Sequence, residues 1–97
     1  MNVRTLLREY HALHARQYKG DYNAVCALVD LRRAITLADL TERQQEALAW
    51  IYGADLTQED VGERMNTTQP AVSLAIDSAI VKIQRIYDDW SSLEDAG

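Results

Sequence analysis

The segment TQEDVGERMNTTQPAVSLAI, residues 57–76, contains two helix starts separated by one tight joint. Thr57 and Thr68 are both suited to cap a helix, because a hydroxyl can accept a hydrogen bond from an amide left free in the first turn. Asn66 tolerates the left-handed backbone that a sharp joint needs. Gly62 is expected to face the crossing of the two helices, since a side chain there would wedge them apart. This spacing is typical of a helix-turn-helix motif.

Helical periodicity continues on both sides of this segment. Apolar residues at three- and four-residue steps predict a first helix that ends at Gly20 and a second helix capped by Asp21. The capping box Thr41–Gln44 predicts the start of a third helix, and Gly53 its left-handed stop. The last helix is expected to reach about Trp90. Strand-type alternation is absent from the sequence, so the expected fold is all-α: a bundle of about five helices with a C-terminal helix-turn-helix that ends in a long helix.

A chain of 97 residues is expected to form a single domain. Within it, residues 1–37 are interpreted as an N-terminal helical hairpin, residues 40–90 as the helix-turn-helix unit and residues 91–97 as an acidic tail. With 47% hydrophobic and 26% charged residues, the composition is that of a folded chain.

Several classes of protein are disfavoured by the sequence. The longest apolar run, Ala24 to Val29, is six residues, too short for a membrane span, and no signal-peptide pattern is present, so a cytoplasmic location is expected. The single Cys26 has no zinc-site neighbours, and His11 with His14 lacks a third ligand, so neither a metal nor another cofactor is expected. Without a phosphate-binding loop or a nucleophile beside a histidine, we expect neither an enzyme nor a small-molecule substrate.

Charge is distributed unevenly along the chain. Residues 1–40 hold six basic and four acidic side chains, whereas residues 41–97 hold four basic and eleven acidic ones, which gives +2 against −7 and a net charge of −5. This balance weighs against a nucleic-acid ligand, because cationic side chains supply most non-specific affinity for phosphates.

Residues 40–87, LTERQQEALAWIYGADLTQEDVGERMNTTQPAVSLAIDSAIVKIQRIY, resemble the fourth region of bacterial sigma factors. The resemblance is carried by LTERQ, IYG, LTQEDVGERM and the closing AIVKIQRIY. Upstream, RQYKGDYNAVCALVDLRRAI is similar to small phage or prophage proteins described as sigma-factor-like transcriptional regulators. The resemblance implies a transcription regulator that binds double-stranded DNA and acts at RNA polymerase.

The resemblance also implies that the second helix of the motif enters the major groove of DNA. By position, its base-contacting residues are Gln69, Pro70, Ala71, Ser73 and Leu74, with Asp77 one turn later. Promoter-binding sigma factors usually carry arginine, glutamate or glutamine along this face, and this chain carries fewer polar groups. An amide at Gln69 can pair with adenine while Ala71 or Leu74 meets thymine methyl groups, which favours sites that contain A·T pairs.

Phosphate contacts are expected from the helix starts and from the nearby cations: Thr57, Gln58, Arg64, Thr68, Lys82 and Arg85. Residues 55–86 hold three basic and five acidic side chains, a net −2. A basic rim is expected from the first half of the chain if its arginines fold near the groove: Arg4, Arg8, Arg16, Arg32 and Arg33.

The last helix is long enough to suggest a second subunit. From Gln69 to Trp90 it spans about 30 Å at about 1.5 Å per residue, more than its neighbours are expected to cover. Homodimer contacts are therefore predicted from the apolar residues of its second half: Ile83, Ile86, Tyr87 and Trp90.

Three functions remain open from the sequence. The leading hypothesis is a sequence-specific, sigma region-four-like DNA-binding regulator. The acidic balance supports an alternative, a protein-interaction module that docks on RNA polymerase or another phage protein without strong DNA contact. A third hypothesis is a structural adaptor in genome packaging, which predicts a ring oligomer. The DNA target sequence and the choice between activation and repression cannot be read from the chain.

Overall fold

The computed structural model describes the backbone of residues 1–96 and the side chains of residues 1–93. The helices are α1 (Val3–Arg8), α2 (Tyr10–Tyr18), α3 (Tyr22–Leu37), α4 (Glu42–Leu48), α5 (Gln58–Arg64) and α6 (Gln69–Ala96), and a π-helical turn (Ala49–Gly53) follows α4. No strand occurs in this part of the chain, and the all-α prediction is confirmed.

Local hydrogen bonds start the helices where the sequence predicts them. The four predicted caps each accept from a backbone amide three residues later at 3.2–3.3 Å: Asp21 from Ala24, Thr41 from Gln44, Thr57 from Asp60 and Thr68 from Ala71. The capping box is complete, because Gln44 Oε1 also accepts from the amide of Thr41 at 3.0 Å. These bonds satisfy amides that the start of a helix leaves unpaired.

Two predictions about helix ends need correction. The first predicted helix is two helices, α1 and α2, which break at Glu9. Gly53 is not left-handed, because the chain continues through the π-helical turn, in which Ala54 N donates to Ala49 O at 3.0 Å. The left-handed residue lies two positions later, at Asp55 with φ 59°.

The last predicted segment, residues 91–97, is also different from expectation. The backbone of α6 continues through residues 91–96 to Ala96, so the predicted acidic tail is helical over that range. The side chains of Glu94 and Asp95, and all of Gly97, lie outside the described residues.

A single hydrophobic core joins all of the helices, and α6 is its central element. The first part of α6 packs against α5 and α4. Its second part is reached by the N-terminal helices: the Val3 amide donates to Gln84 Oε1 at 2.9 Å, and the Arg33 guanidinium lies 6.0 Å from the centre of the Trp90 ring. The N-terminal helices therefore complete the core that the long helix begins.

This packing corrects the predicted dimer contacts. Ile83 is 0% exposed and Tyr87 is 7% exposed within the single chain, so neither side chain is available to a second subunit. Ile86 and Trp90 are half-buried against the same core, and Trp90 packs edge-on against Tyr87 with ring centres 5.1 Å apart. For Ile83 and Tyr87 the prediction was wrong, because it did not anticipate that α1 and α3 pack against this half of α6.

Candidate nucleic-acid interface

The angle between α5 and α6 is set by close backbone contact at Gly62. A Cβ atom at this position would lie 3.1 Å from Thr67 O, 3.2 Å from Thr68 C and 3.3 Å from Gln69 N. Gly62 O also accepts from the Thr67 amide at 2.8 Å, and Asn66 takes the left-handed backbone with φ 55°. Only glycine allows this approach without displacement of the joint, so the sequence prediction for Gly62 and Asn66 is confirmed.

The first turns of α6 present one face to the core and the other to solvent. Val72 and Ile76 are buried at 1% and 2% exposure, which fixes the rotation of the helix about its own axis. Of the six residues predicted to contact bases, Ser73 is half-buried. The other five are exposed: Gln69, Pro70, Ala71, Leu74 and Asp77. Leu74 is 68% exposed, a large apolar surface for a single side chain in a folded protein. The start of α6 therefore projects outward, as a groove-reading helix requires.

A side-chain hydrogen bond connects the starts of α5 and α6. Gln69 Nε2 donates to Gln58 Oε1 in a short contact. A primary amide has two N–H donors and a carbonyl acceptor, so one donor and the acceptor of Gln69 remain available. These are the two groups that pair with the N7 and N6 atoms of adenine.

Asp77 has a partner that the sequence did not reveal. Arg4 Nη2 in α1 lies 3.0 Å from Asp77 Oδ1, and the two side chains are 43% and 57% exposed. Of the five arginines predicted to form a basic rim, Arg4 is the one that pairs with Asp77 on α6. No local signal could identify this pair, because the two residues are 73 positions apart in the chain.

The predicted phosphate contacts differ in how free they are. The hydroxyls of Thr57 and Thr68 already cap their helices. Because Pro70 has no N–H, the backbone donors that remain at the start of α6 are the amides of Thr68 and Gln69. Two of the predicted cations, Arg64 and Lys82, have intramolecular contacts. The Arg64 guanidinium lies 5.1 Å from the centre of the Trp50 ring, and Lys82 Nζ donates to Gln44 Oε1 at 3.0 Å. Arg85 is exposed on α6.

Within the described chain, no group of three or more His, Cys, Asp or Glu side chains is arranged to hold a metal ion. His11 and His14 instead contact the Tyr10 ring edge-on, with ring centres 5.5 and 4.5 Å apart. None of the helices in the described part of the chain is both long and apolar enough to cross a membrane.

A family model described as sigma-70, region 4 matches residues 36–85, which is 50 of the 97 residues. The chain belongs to the sigma-70 region 4 family. The match includes α4, α5 and the first part of α6, so this part of the chain is a DNA-binding helix-turn-helix region. The family is one of DNA-binding domains and not of enzymes. Searches of curated proteins and of solved structures returned no match. Helices α1 and α2 and most of α3 lie outside the region 4 match.

Proposed function

We propose that this region 4 protein is a sequence-specific transcription regulator of the phage or prophage type, which reads double-stranded DNA with the first two turns of α6. The observation that carries the proposal is the outward face of that helix. Leu74 is 68% exposed while Val72, two residues earlier, is 1% exposed, so the face that carries Leu74 is turned toward solvent, which supports the proposal.

The reading face favours A·T-containing sites. Gln58 restrains the amide of Gln69 and leaves it one donor and its acceptor, the pair that adenine requires. Ala71 and Leu74 are exposed apolar groups of the kind that contact thymine methyls. Ser73 is half-buried and adds one hydroxyl at the edge of this surface.

Affinity for the phosphate backbone is expected to come from few groups. The starts of α5 and α6 offer amides at the positive ends of two helix dipoles, near Thr57, Gln58 and Thr68. Arg85 is exposed, whereas a phosphate contact by Lys82 or Arg64 requires that side chain to leave its present partner. The protein is therefore proposed to act in the cytoplasm together with RNA polymerase. The polymerase, as a second DNA-binding partner, would supply the affinity for DNA that this chain lacks.

The experiment is selection of bound duplexes from a random pool, followed by anisotropy titration of the recovered sequence. The double variant Gln69→Ala/Ser73→Ala is expected to weaken binding by roughly 10- to 100-fold, since loss of the Gln69 base contact costs about 1–3 kcal/mol and Ser73 adds little at the edge of the surface. A matched control is Gln17→Ala/Ser92→Ala, which removes the same two side-chain types from exposed positions elsewhere. Equal affinity of the wild type and the Gln69/Ser73 variant would remove α6 from DNA recognition.

A second candidate function is a docking module that binds RNA polymerase or another phage protein without strong DNA contact. The observation that favours it is the pair Leu74 and Val81, which are 68% and 51% exposed and lie seven residues apart on one face of α6. Salt separates the two functions. Binding to DNA weakens steeply as salt rises, by a logarithmic slope of about −0.9 per neutralised phosphate, whereas an apolar protein contact changes little.

A homodimer remains a proposal on a smaller surface than the sequence predicted. With Ile83 and Tyr87 buried in the chain, Ile86 and Trp90 are the remaining candidates, and both are half-buried. Light scattering coupled to size exclusion tests it. A mass of 11.0 kDa at tens of micromolar protein would exclude the dimer at that concentration.

A further inference from the structure

The cations of this protein are concentrated outside the helix-turn-helix region, and one of them reaches it. Residues 1–40 carry a net +2. Arg4, on α1, extends to the third turn of α6, where its Nη2 lies 3.0 Å from Asp77 Oδ1. It is therefore a cation placed against the proposed reading helix by tertiary packing.

The position of Arg4 is fixed by its neighbours. The Val3 amide donates to Gln84 Oε1 at 2.9 Å, and Gln84 Nε2 donates to the carbonyl oxygen of Met1 at 2.7 Å. Val3 is 0% exposed, and Leu6 is 5% exposed, so α1 is packed into the core on both sides of Arg4. The start of the chain is thus a rigid support for the guanidinium.

The guanidinium retains donors that face solvent beside the reading helix. Arginine has five N–H donors, and the contact with Asp77 uses one of its two terminal nitrogens. The Arg4 side chain is 43% exposed. Asp77 follows Leu74 by three residues and Pro70 by seven, so it lies on the face that those exposed residues share. An unpaired carboxylate there would repel phosphate, and a paired arginine presents cationic N–H groups in its place.

We propose that Arg4 is a DNA-phosphate contact supplied by α1, and that Asp77 holds the Arg4 guanidinium in place and does not read a base. The DNA-binding surface of this protein then includes a helix that lies outside the region 4 match. This inference rests on the proposed function, because it requires DNA to approach the outward face of α6.

The test is anisotropy titration of a mixed-sequence duplex of roughly 30 base pairs between about 50 and 200 mM salt. For Arg4→Ala we expect roughly tenfold weaker binding and a salt slope smaller by about 0.9, the loss of one phosphate contact. Arg4→Lys keeps the charge and is expected to keep the wild-type slope. Lys19→Ala is the control, because Lys19 is an exposed cation at the end of α2 and is not one of the arginines of the predicted basic rim.

The double variant Arg4→Ala/Asp77→Asn separates a phosphate contact from simple charge cancellation. If Arg4 contacts phosphate, the double variant keeps the reduced slope of Arg4→Ala. Recovery of the wild-type slope would mean that Arg4 only neutralises Asp77, and the proposal would be overturned. Selection from a random duplex pool tests the role of Asp77: Asp77→Asn is expected to recover the wild-type sequence, and a changed base preference would show that Asp77 reads a base.

Separate controls test whether the variants fold and whether the wild type binds DNA. An exposed ion pair contributes about 0–1 kcal/mol, so circular dichroism is expected to show all of these variants folded. A wild-type protein that does not bind the duplex overturns the proposed function and the Arg4 contact together. A wild type that binds with the normal salt dependence, while Arg4→Ala is unchanged, overturns the Arg4 contact alone.

Discussion

The helix-turn-helix region and the N-terminal helices differ in what each can supply to a DNA-binding surface: the first supplies shape and the second supplies positive charge. Residues 55–86 provide an exposed helix face held at a fixed angle, yet their net charge is −2. Residues 1–40 carry +2 and contain no such motif. The two regions meet on α6, where Arg4 pairs with Asp77 and Arg33 lies over the Trp90 ring. Shape and charge for one proposed ligand therefore come from different parts of the chain.

The two halves of α6 differ in how much of their apolar surface is exposed. Its first turns have one face in the core and the other in solvent, where Leu74 is 68% exposed. Farther along, Ile83 and Tyr87 are covered by the chain itself. The apolar face of the second half of α6 is thus structural, although Arg85 in that half remains exposed, and the first half presents an exposed apolar side chain to a ligand. The predictions below change the buried face of α6 or the joint before it; the first two concern both stability and DNA binding, and the third concerns stability alone.

The largest effect on stability is expected from Ile83→Ala. Ile83 is 0% exposed, and its loss should lower the free energy of unfolding by about 2–5 kcal/mol, because a buried cavity replaces its side chain. Chemical denaturation measures this change. Binding to DNA well below the unfolding midpoint should stay within roughly threefold, since the reading face is untouched. Val81→Ala, at a 51% exposed site two residues earlier, is the control and should change stability by less than about 0.5 kcal/mol.

Gly62→Val is expected to have a smaller effect on stability and a larger one on binding. Its side chain would press on the backbone of Thr67, Thr68 and Gln69, all within 3.3 Å of a Cβ at this site. We expect the free energy of unfolding to fall by about 1–3 kcal/mol and the start of α6 to be displaced. Gly53→Ala is the matched control, because nothing lies within 4 Å of a Cβ there and its φ is not positive. Normal DNA affinity in Gly62→Val would show that the angle between α5 and α6 does not matter.

The smallest effect is expected from Tyr87→Phe. Among the described residues the buried Tyr87 hydroxyl has no hydrogen-bond partner, so its removal should raise stability by about 1 kcal/mol. Burial raises the pKa of Tyr87 to about 12, and the Asp30 carboxylate acts in the same direction. Because the unfolded chain loses this proton first, near pH 10, the wild type should lose stability as pH rises from about 10 to 12, and Tyr87→Phe should lose less.

The control for this change is Tyr18→Phe at a 94% exposed site, which should alter neither the stability nor its pH dependence. Thermal unfolding at neutral and alkaline pH measures both variants. Equal alkaline destabilisation in the wild type and in Tyr87→Phe would mean that Tyr87 does not couple folding to pH, and that the second half of α6 is less tightly packed than the structure shows.

Local features of the fold were predictable because their causes are local. The caps at Asp21, Thr41, Thr57 and Thr68 each depend on atoms three residues away. Asn66 turns the chain because of its own backbone preference. Gly53 was the instructive failure: a glycine marks the end of a helix well, but here the extra residue of the π-helical turn moved the left-handed position to Asp55.

Contacts between distant residues were not predictable from spacing. The sequence predicted Lys82 as a cation available to phosphate, whereas in the structure Lys82 Nζ donates to Gln44 Oε1 of α4 at 3.0 Å. Ile83 and Tyr87 looked available to a second subunit because periodicity tells which residues share a face and does not tell which element covers it. The hydrogen bond between Gln58 and Gln69 could not be predicted without the geometry of the joint between α5 and α6, although both residues were already candidates for DNA contact.

The amino-acid sequence alone determined the helical character of this chain, the two capped helices around Asn66 and the need for glycine at position 62, since each follows from interactions within a few residues. Tertiary structure alone decided that α1 and α3 cover the second half of α6 and that Arg4 meets Asp77. The physical reason is range: backbone preferences and caps act over one helical turn, whereas burial and ion pairing depend on which surfaces the whole chain brings together.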